Sequence, residues 1–212
     1  MLIRRIYDIL FNTFGPQHWW PGDTPLEIAI GAILTQNTSW RNVEKAINNL
    51  KKEGVLDLKK LLELSPEYLK ELIRPAGFYN QKTERLRSFL LWLNKRGGCL
   101  TEINETTEKV REELLKIKGI GKETADSILL YAMNRPIFVV DAYTKRILSR
   151  HNIIKEKADY DTVQALFISS LPVEVPLYKE YHALLVKLGK DYCRSRNPLC
   201  ETCPLKTVFV SD

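Results

Sequence analysis

Lys118 to Leu148 reads KGIGKETADSILLYAMNRPIFVVDAYTKRIL. A Gly-X-Gly turn, Gly119-Ile120-Gly121, opens a run of helical character. Three apolar residues, Phe138-Val139-Val140, then precede a single carboxylate, Asp141, and a second helical run begins behind it. With Leu115-Lys116-Ile117 in front, the start reads helix, tight turn, helix. Glycine permits backbone conformations that side chains forbid. A helix that begins beside such a turn presents bare amide N–H groups, which attract a phosphate. Lys118 and Lys122 add positive charge there, and Thr124 follows. The plain alternative is a helix–turn–helix corner. For Asp141 the plain role is an N-cap. Its distance from the turn, about one helix and a return loop, also suits a carboxylate held beside a sugar whose phosphate the turn grips.

The surrounding chain is helical in pattern nearly throughout. Thr24-Pro25-Leu26-Glu27 is a capping box with proline at the first helical position. The helix it opens sends Ile28, Ile30, Ala32, Ile33 and Leu34 to the core. Ser39 can cap a helix in which Val43, Ala46, Ile47 and Leu50 recur at helical spacing. Ser65-Pro66-Glu67 starts another. Gln81 to Leu93 carries the stripe Leu86, Phe89, Leu90 and Leu93 and stops at Gly97-Gly98. Thr107–Ile117, Thr124–Met133, Tyr143–Ser149, Asp161–Ser170 and Pro176–Leu188 complete the set. No strand alternation of any length is present, so the expected fold class is all-α. Breakers at Pro21-Gly22 and Arg135-Pro136 mark the expected division into two lobes, residues 22–134 against 1–21 with 135–212.

Composition narrows the class. Hydrophobic residues make up 44% of the 212, enough for a real core, and the longest apolar stretches are far too short to span a bilayer. The N-terminus has no apolar signal region, which points to a cytoplasmic protein. A net charge of +6 is compatible with nucleic-acid binding. Of four cysteines, Cys193, Cys200 and Cys203 crowd near the C-terminus, and clustered cysteines in a cytosolic chain more often hold a metal or cluster than a disulfide.

Five ordered motifs between Trp19 and Cys203 resemble the helix-hairpin-helix, Gly/Pro-rich, aspartate superfamily of DNA glycosylases, the endonuclease III family in particular. They are Leu34-Thr35-Gln36-Asn37-Thr38, Gly77-Phe78-Tyr79-Asn80-Gln81-Lys82, the hairpin, Val140-Asp141 and the cysteine run. The resemblance implies a two-lobed fold with a cleft for double-stranded DNA containing damaged bases. It also implies a reaction: cleavage of the N-glycosidic bond of a base flipped out of the duplex, with Asp141 as the catalytic carboxylate. Gln36 would fill the gap left by the base and Phe78 would act as an apolar wedge. Lys118, Gly119, Gly121, Lys122 and Thr124 would bind the DNA backbone. Lys82, Arg85, Lys145 and Arg146 are further candidates for phosphate contact.

Two departures refine the expectation. Endonuclease III has a lysine two residues after Gly-X-Gly, which attacks the sugar and leads to strand cleavage. That position here is Glu123, and Lys122, one step earlier, points about 100° away on a helix. The chain therefore reads as a monofunctional glycosylase that uses water. His18-Trp19-Trp20-Pro21, Trp40 and Lys118 to Asp126 resemble 3-methyladenine DNA glycosylase III most closely. Trp19, Trp20, Pro21 and Trp40 are the candidate base pocket, suited to a cationic alkylated purine. The alternatives are an oxidised-pyrimidine glycosylase and AP lyase of endonuclease III type, and a non-enzymatic hairpin module whose aspartate is only a cap.

The second departure is in the cysteines. Cys193-X6-Cys200-X2-Cys203 matches three of the four positions by which the endonuclease III family holds a [4Fe-4S] cluster, and the fourth position is Phe209. A three-cysteine [4Fe-4S] cluster is the expectation, and a lost cluster and a zinc site are its rivals. No oligomer signal is visible, so a monomer is expected.

Overall fold

The computed structural model describes residues 2–208, and no strand occurs among them. The helices are α1 (Leu2–Phe14), α2 (Pro25–Leu34), α3 (Trp40–Lys52), α4 (Leu58–Glu63), α5 (Pro66–Ile73), α6 (Tyr79–Lys95), α7 (Thr107–Lys116), α8 (Lys122–Ser127), α9 (Ala142–Arg150), α10 (Tyr160–Ser170) and α11 (Val175–Asp191). None of them is long and apolar enough to cross a membrane. The chain forms two compact units, Pro21–Arg135 and Met1–Trp20 with Pro136–Asp212.

The Pro21–Arg135 unit is built on α2. The Thr24 hydroxyl accepts the Glu27 N–H at 3.1 Å, and Pro25 occupies the first turn. The reciprocal half of the capping box differs from expectation. Glu27 accepts from the Asp23 N–H and pairs with Lys51 at 2.7 Å, so its carboxylate ties α2 to α3. Ala29, Ile30, Ile33 and Leu34 are buried on all sides of this helix, and α3, α6 and α8 pack around it. Such an all-round apolar helix is the core of its unit. Ser39 stands at the α3 N-cap but makes no side-chain bond there. Helix α4, absent from the sequence reading, is capped by Asp57 and buries Leu58 and Leu61; six residues are too few to show a helical repeat. The helix expected over Thr124–Met133 is two pieces: α8, then one π-turn over Ile128–Ala132 closed by the Met133 N–H on Ile128 O.

The hairpin is stapled by charge. Arg111 on α7 grips Asp126 on α8 with two parallel bonds, Nε to Oδ1 at 2.6 Å and Nη2 to Oδ2 at 3.0 Å. Asp126 is fully buried, and this fork meets both of its carboxylate oxygens.

The other unit surrounds an extended segment, 136–141. Phe138 lies stacked on Phe167 of α10, centroids 3.9 Å apart, with Tyr178 and Tyr181 of α11 edge-on. Helix α1 closes this core with Ile3, Ile6 and Leu10, and its Ile3 carbonyl accepts the Tyr181 hydroxyl at 2.8 Å. Buried backbone groups without a sheet need side-chain partners. Gln164 supplies one to the Phe138 carbonyl at 2.6 Å, and the Tyr160 hydroxyl accepts the Val140 N–H at 3.3 Å.

Removing one partner of a buried pair leaves an uncompensated charge. Arg111→Ala is expected to lower stability by about 3 kcal/mol in urea denaturation, an effect far above that of an exposed ion pair.

Candidate active site

The hairpin turn demands glycine at one of its two positions. Gly119 has φ +86°, and a Cβ there would lie 2.3 Å from Arg85 Nε. Gly121 is the N-cap of α8 with φ −91°, an ordinary value, and a Cβ there would meet nothing within 4 Å. Neither backbone shape nor a packed neighbour therefore requires glycine there. Lys118 is almost fully exposed at the turn. It lines a groove of about 1060 Å³ together with Lys70, Arg85 and Arg87, among which Glu84 is an acid.

Gln36 is drawn into the hairpin. Its Nε2 donates to Gly119 O at 3.0 Å and to the buried Thr124 hydroxyl at 2.9 Å, while its Oε1 accepts Arg85 Nη1 at 2.5 Å. Arg85, read from sequence as a candidate for phosphate contact, is thus committed to Gln36. Phe78 stands apart. It is 60% exposed, and its backbone is left-handed, φ 46° and ψ 32°. An aromatic residue in that region costs about 1–2 kcal/mol, and such strain collects at functional sites.

Lys82 is a correction to the sequence reading. It is fully buried and cannot reach a phosphate. Its Nζ donates to Leu34 O at 2.8 Å and Ala76 O at 2.7 Å. Burial, with the Arg85 charge adding, pushes its pKa down to about 8. Lys145 and Arg146 are also engaged, Lys145 on Ala158 O and Arg146 on Cys193 O and Gly189 O.

Asp141 caps α9, and more than a cap is present. One carboxylate oxygen, Oδ1, accepts both the Thr144 N–H at 2.7 Å and the Thr144 hydroxyl at 2.8 Å. The other, Oδ2, faces His182 Nε2 on α11 at 3.5 Å. Both side chains are buried. Burial alone would raise the Asp141 pKa. The His182 imidazole and the two Thr144 donors outweigh it and hold the carboxyl below its ordinary value. The site thus keeps a buried carboxylate ionised. Glu123, at the position where the resemblance would place a lysine, is exposed.

Among the pocket candidates, Trp19 and Trp20 are half-buried neighbours, centroids 5.6 Å apart and tilted by 57°. The Lys190 ammonium lies 5.3 Å from the Trp19 ring centroid, so this indole already meets a cation. In the other unit, Pro21 and Trp40 line a cavity of about 180 Å³ with Glu44 and Lys51.

The cysteine loop follows α11. Cys193 is buried, Cys203 half-buried and Cys200 exposed. Burial pushes the Cys203 thiol up, and the neighbouring Cys193 and Cys200 thiols add to this. Arg150 Nη1 lies 3.4 Å from Cys193 Sγ and donates to Arg194 O at 2.6 Å. Among the described residues, no three His, Cys, Asp or Glu side chains gather as a metal-holding group. Phe209, the fourth cluster position, lies outside the described residues. The donor set is one thiol short of a four-cysteine cage, so the residues do not fit that cluster, and no chemical step is assigned to one.

One unit thus carries a hairpin with an obligatory glycine and a strained exposed aromatic tip, and the other a buried aspartate at a helix start. Residues 30–172 match the HhH-GPD superfamily of base excision DNA repair proteins, and the chain belongs to that family. It is 51% identical over 99% of its length to a provisionally named DNA repair glycosylase of Methanocaldococcus jannaschii, covering 96% of that protein. It is 33% identical to endonuclease III of Thermotoga maritima, over 86% of this chain and 81% of that one. Among solved structures, a non-covalent endonuclease III–DNA complex superposes with a TM-score of 0.83 at 22% identity, covering 98% of this chain and 94% of that one. The H. pylori 3-methyladenine DNA glycosylase bound to 1,N6-ethenoadenine gives 0.74 at 32% identity, over 89% and 97%. The chain is thus a DNA glycosylase of the base-excision family.

Sequence reasoning missed His182 as a partner of Asp141. Its one signal was a titratable residue in the otherwise apolar Tyr181–Leu185 run of α11. The two hairpin glycines should now separate. Gly119→Ala must strain the backbone and displace Arg85, and should lower the melting temperature clearly. Gly121→Ala should keep stability within about 0.5 kcal/mol, because reduced unfolded-state entropy offsets a poorer cap. It should nonetheless weaken duplex binding in a fluorescence-anisotropy titration.

Proposed function

We propose that the chain hydrolyses the N-glycosidic bond of alkylated purines in double-stranded DNA, without strand cleavage, and that Asp141 answers the positive charge that forms on the sugar. The observation that carries this is the state of Asp141: buried, yet held ionised by His182 and Thr144. A carboxylate with a depressed pKa is a weak proton acceptor and a good counter-charge. It suits a reaction whose leaving group departs readily and whose difficulty lies in the cationic sugar. Phe78 enters the duplex as a wedge, Gln36 leaves its partners Gly119, Thr124 and Arg85 to fill the gap, and the hairpin from Lys118 to Thr124 holds the phosphate backbone. Trp19, Trp20 and Trp40 offer indole faces, which favour a cationic base over a neutral one. The likeness to a 3-methyladenine glycosylase holding an ethenoadenine supports a purine substrate.

Glu123 supports hydrolysis rather than amine attack. A glutamate cannot form a Schiff base, and Lys122 projects from the helix about 100° away. The likeness to the Thermotoga maritima endonuclease III supports the rival reading, an oxidised-pyrimidine glycosylase with lyase action. Base release from a methylated duplex and from a thymine-glycol duplex, each with and without alkali, separates the two. Release of 3-methyladenine with breaks only after alkali is expected. Cleavage of the thymine-glycol strand without alkali would establish the rival.

Asp141→Asn should retain duplex binding and lose base release by about 100-fold or more. Unchanged release would leave Asp141 as a cap and favour a binding module. His182→Phe keeps bulk and removes the imidazole that depresses the Asp141 pKa. With that support gone the pKa rises, so the carboxylate is neutralised at a higher pH. The acid limb of the base-release profile should therefore move to higher pH, with activity recovering above it. A uniform loss at every pH would assign His182 to packing alone.

A further inference from the structure

Lys82 is a fully buried lysine that no carboxylate neutralises among the described residues. A buried charge of this kind is costly, and a methionine would fill the same space without the charge. The position therefore uses the ammonium for something. Its two acceptors lie in separate segments. Leu34 O belongs to the last residue of α2, where helix carbonyls lack intrahelical partners. Ala76 O ends the single 3₁₀ turn Arg74–Ala76. Each segment runs directly into a candidate DNA probe. Leu34 is followed by Thr35-Gln36, and Ala76 by Gly77-Phe78. The Lys82 backbone N–H also donates to Phe78 O at 3.0 Å. Lys82 thus holds the chain at Ala76, just before the Gly77-Phe78 tip, and at the Phe78 carbonyl, and both tip residues have positive φ (68° and 46°).

We propose that Lys82 is a positioning residue that fixes the Gln36 turn and the strained Phe78 tip at a set spacing, so that the two meet a DNA duplex as one probe. The proposal rests on the reading of Phe78 and Gln36 as the residues that enter the duplex. It gives the buried charge a purpose. Three donors on one flexible stem can satisfy two orphan carbonyls at once, which neither methionine nor leucine can do. The distortion of Phe78 persists because the chain is held at Ala76 and at the Phe78 carbonyl.

The test compares Lys82→Met, Phe78→Ala and the double variant. A duplex with 2-aminopurine beside a tetrahydrofuran abasic site reports unstacking through fluorescence, without any dependence on which base the enzyme removes. Single-turnover release from methylated DNA is measured in parallel. Lys82→Met should lose most of the fluorescence rise and slow release about 10- to 100-fold, the scale of an ångström-level misplacement. Affinity for undamaged duplex should change little. The double variant should be no slower than Phe78→Ala, because residues that act through one another are not additive. Should Lys82→Met fail to fold, Gly77→Ala gives the second route. A Cβ there meets nothing within 4 Å, so the variant strains only the tip, and the same loss is expected. A full fluorescence response in Lys82→Met or Gly77→Ala, or additive losses in the double variant, overturns the proposal. A Phe78→Ala protein with normal fluorescence and release overturns the wedge reading beneath it, and the proposal with it.

Discussion

A buried charge keeps its charge only when dipoles or counter-charges replace the water it has lost, and much of this chain is arranged around that requirement. Asp141 shows it most fully. Burial pushes the carboxyl toward the neutral acid. The Thr144 N–H and hydroxyl hold one oxygen, and the His182 imidazole faces the other. The helix start contributes in the same direction, since the N-terminal end of α9 carries partial positive charge. To bring a carboxylate to this place the chain must run extended through a core, and Gln164 and Tyr160 meet the backbone groups that such a path leaves without a sheet.

The Pro21–Arg135 unit solves the same problem twice with different chemistry. Asp126 is answered by the Arg111 fork, which joins the two helices of the hairpin and so fixes the turn between them. Lys82 is answered by two carbonyls and, among the described residues, no acid. The first is a pairing of opposite charges, and neutral replacements of both partners could preserve it in shape. The second is an open arrangement in which a cation organises chain ends that would otherwise be unsatisfied. Arg85 then links this region to the hairpin through Gln36.

Local signals in the sequence were enough for most of the helices and for Asp141 as the cap of α9. Caps at Thr24, Ser65 and Asp141 and the apolar stripe of α6 depend on neighbours within a turn or two, and these can be read along the chain. What was not legible depends on distance in sequence. Lys82 meets Leu34, 48 positions away, and a lysine four places past an exposed Phe reads as a solvated phosphate ligand until its burial is known. His182 meets Asp141 only because α11 packs on α9. Gly121 and Gly119 look equivalent in a Gly-X-Gly string. Only the three-dimensional approach of Arg85 shows that one is required by shape and the other is not.

The two readings of the enzyme make opposite demands on a carboxylate. If an amine attacks the sugar, the enzyme supplies its own nucleophile, and an acid nearby serves chiefly to move protons. If water attacks, the sugar must survive as a cation long enough to be captured, and the carboxylate serves by staying charged. On the proposed reading, His182 and Thr144 suit Asp141 to the second role, because each lowers its proton affinity. The exposed Glu123 points the same way, since the hairpin helix then carries no amine where the lyase chemistry needs one. A base that is already cationic completes the match. It leaves without protonation, and so it asks of the enzyme only a place to stack and a fixed negative charge beneath the sugar.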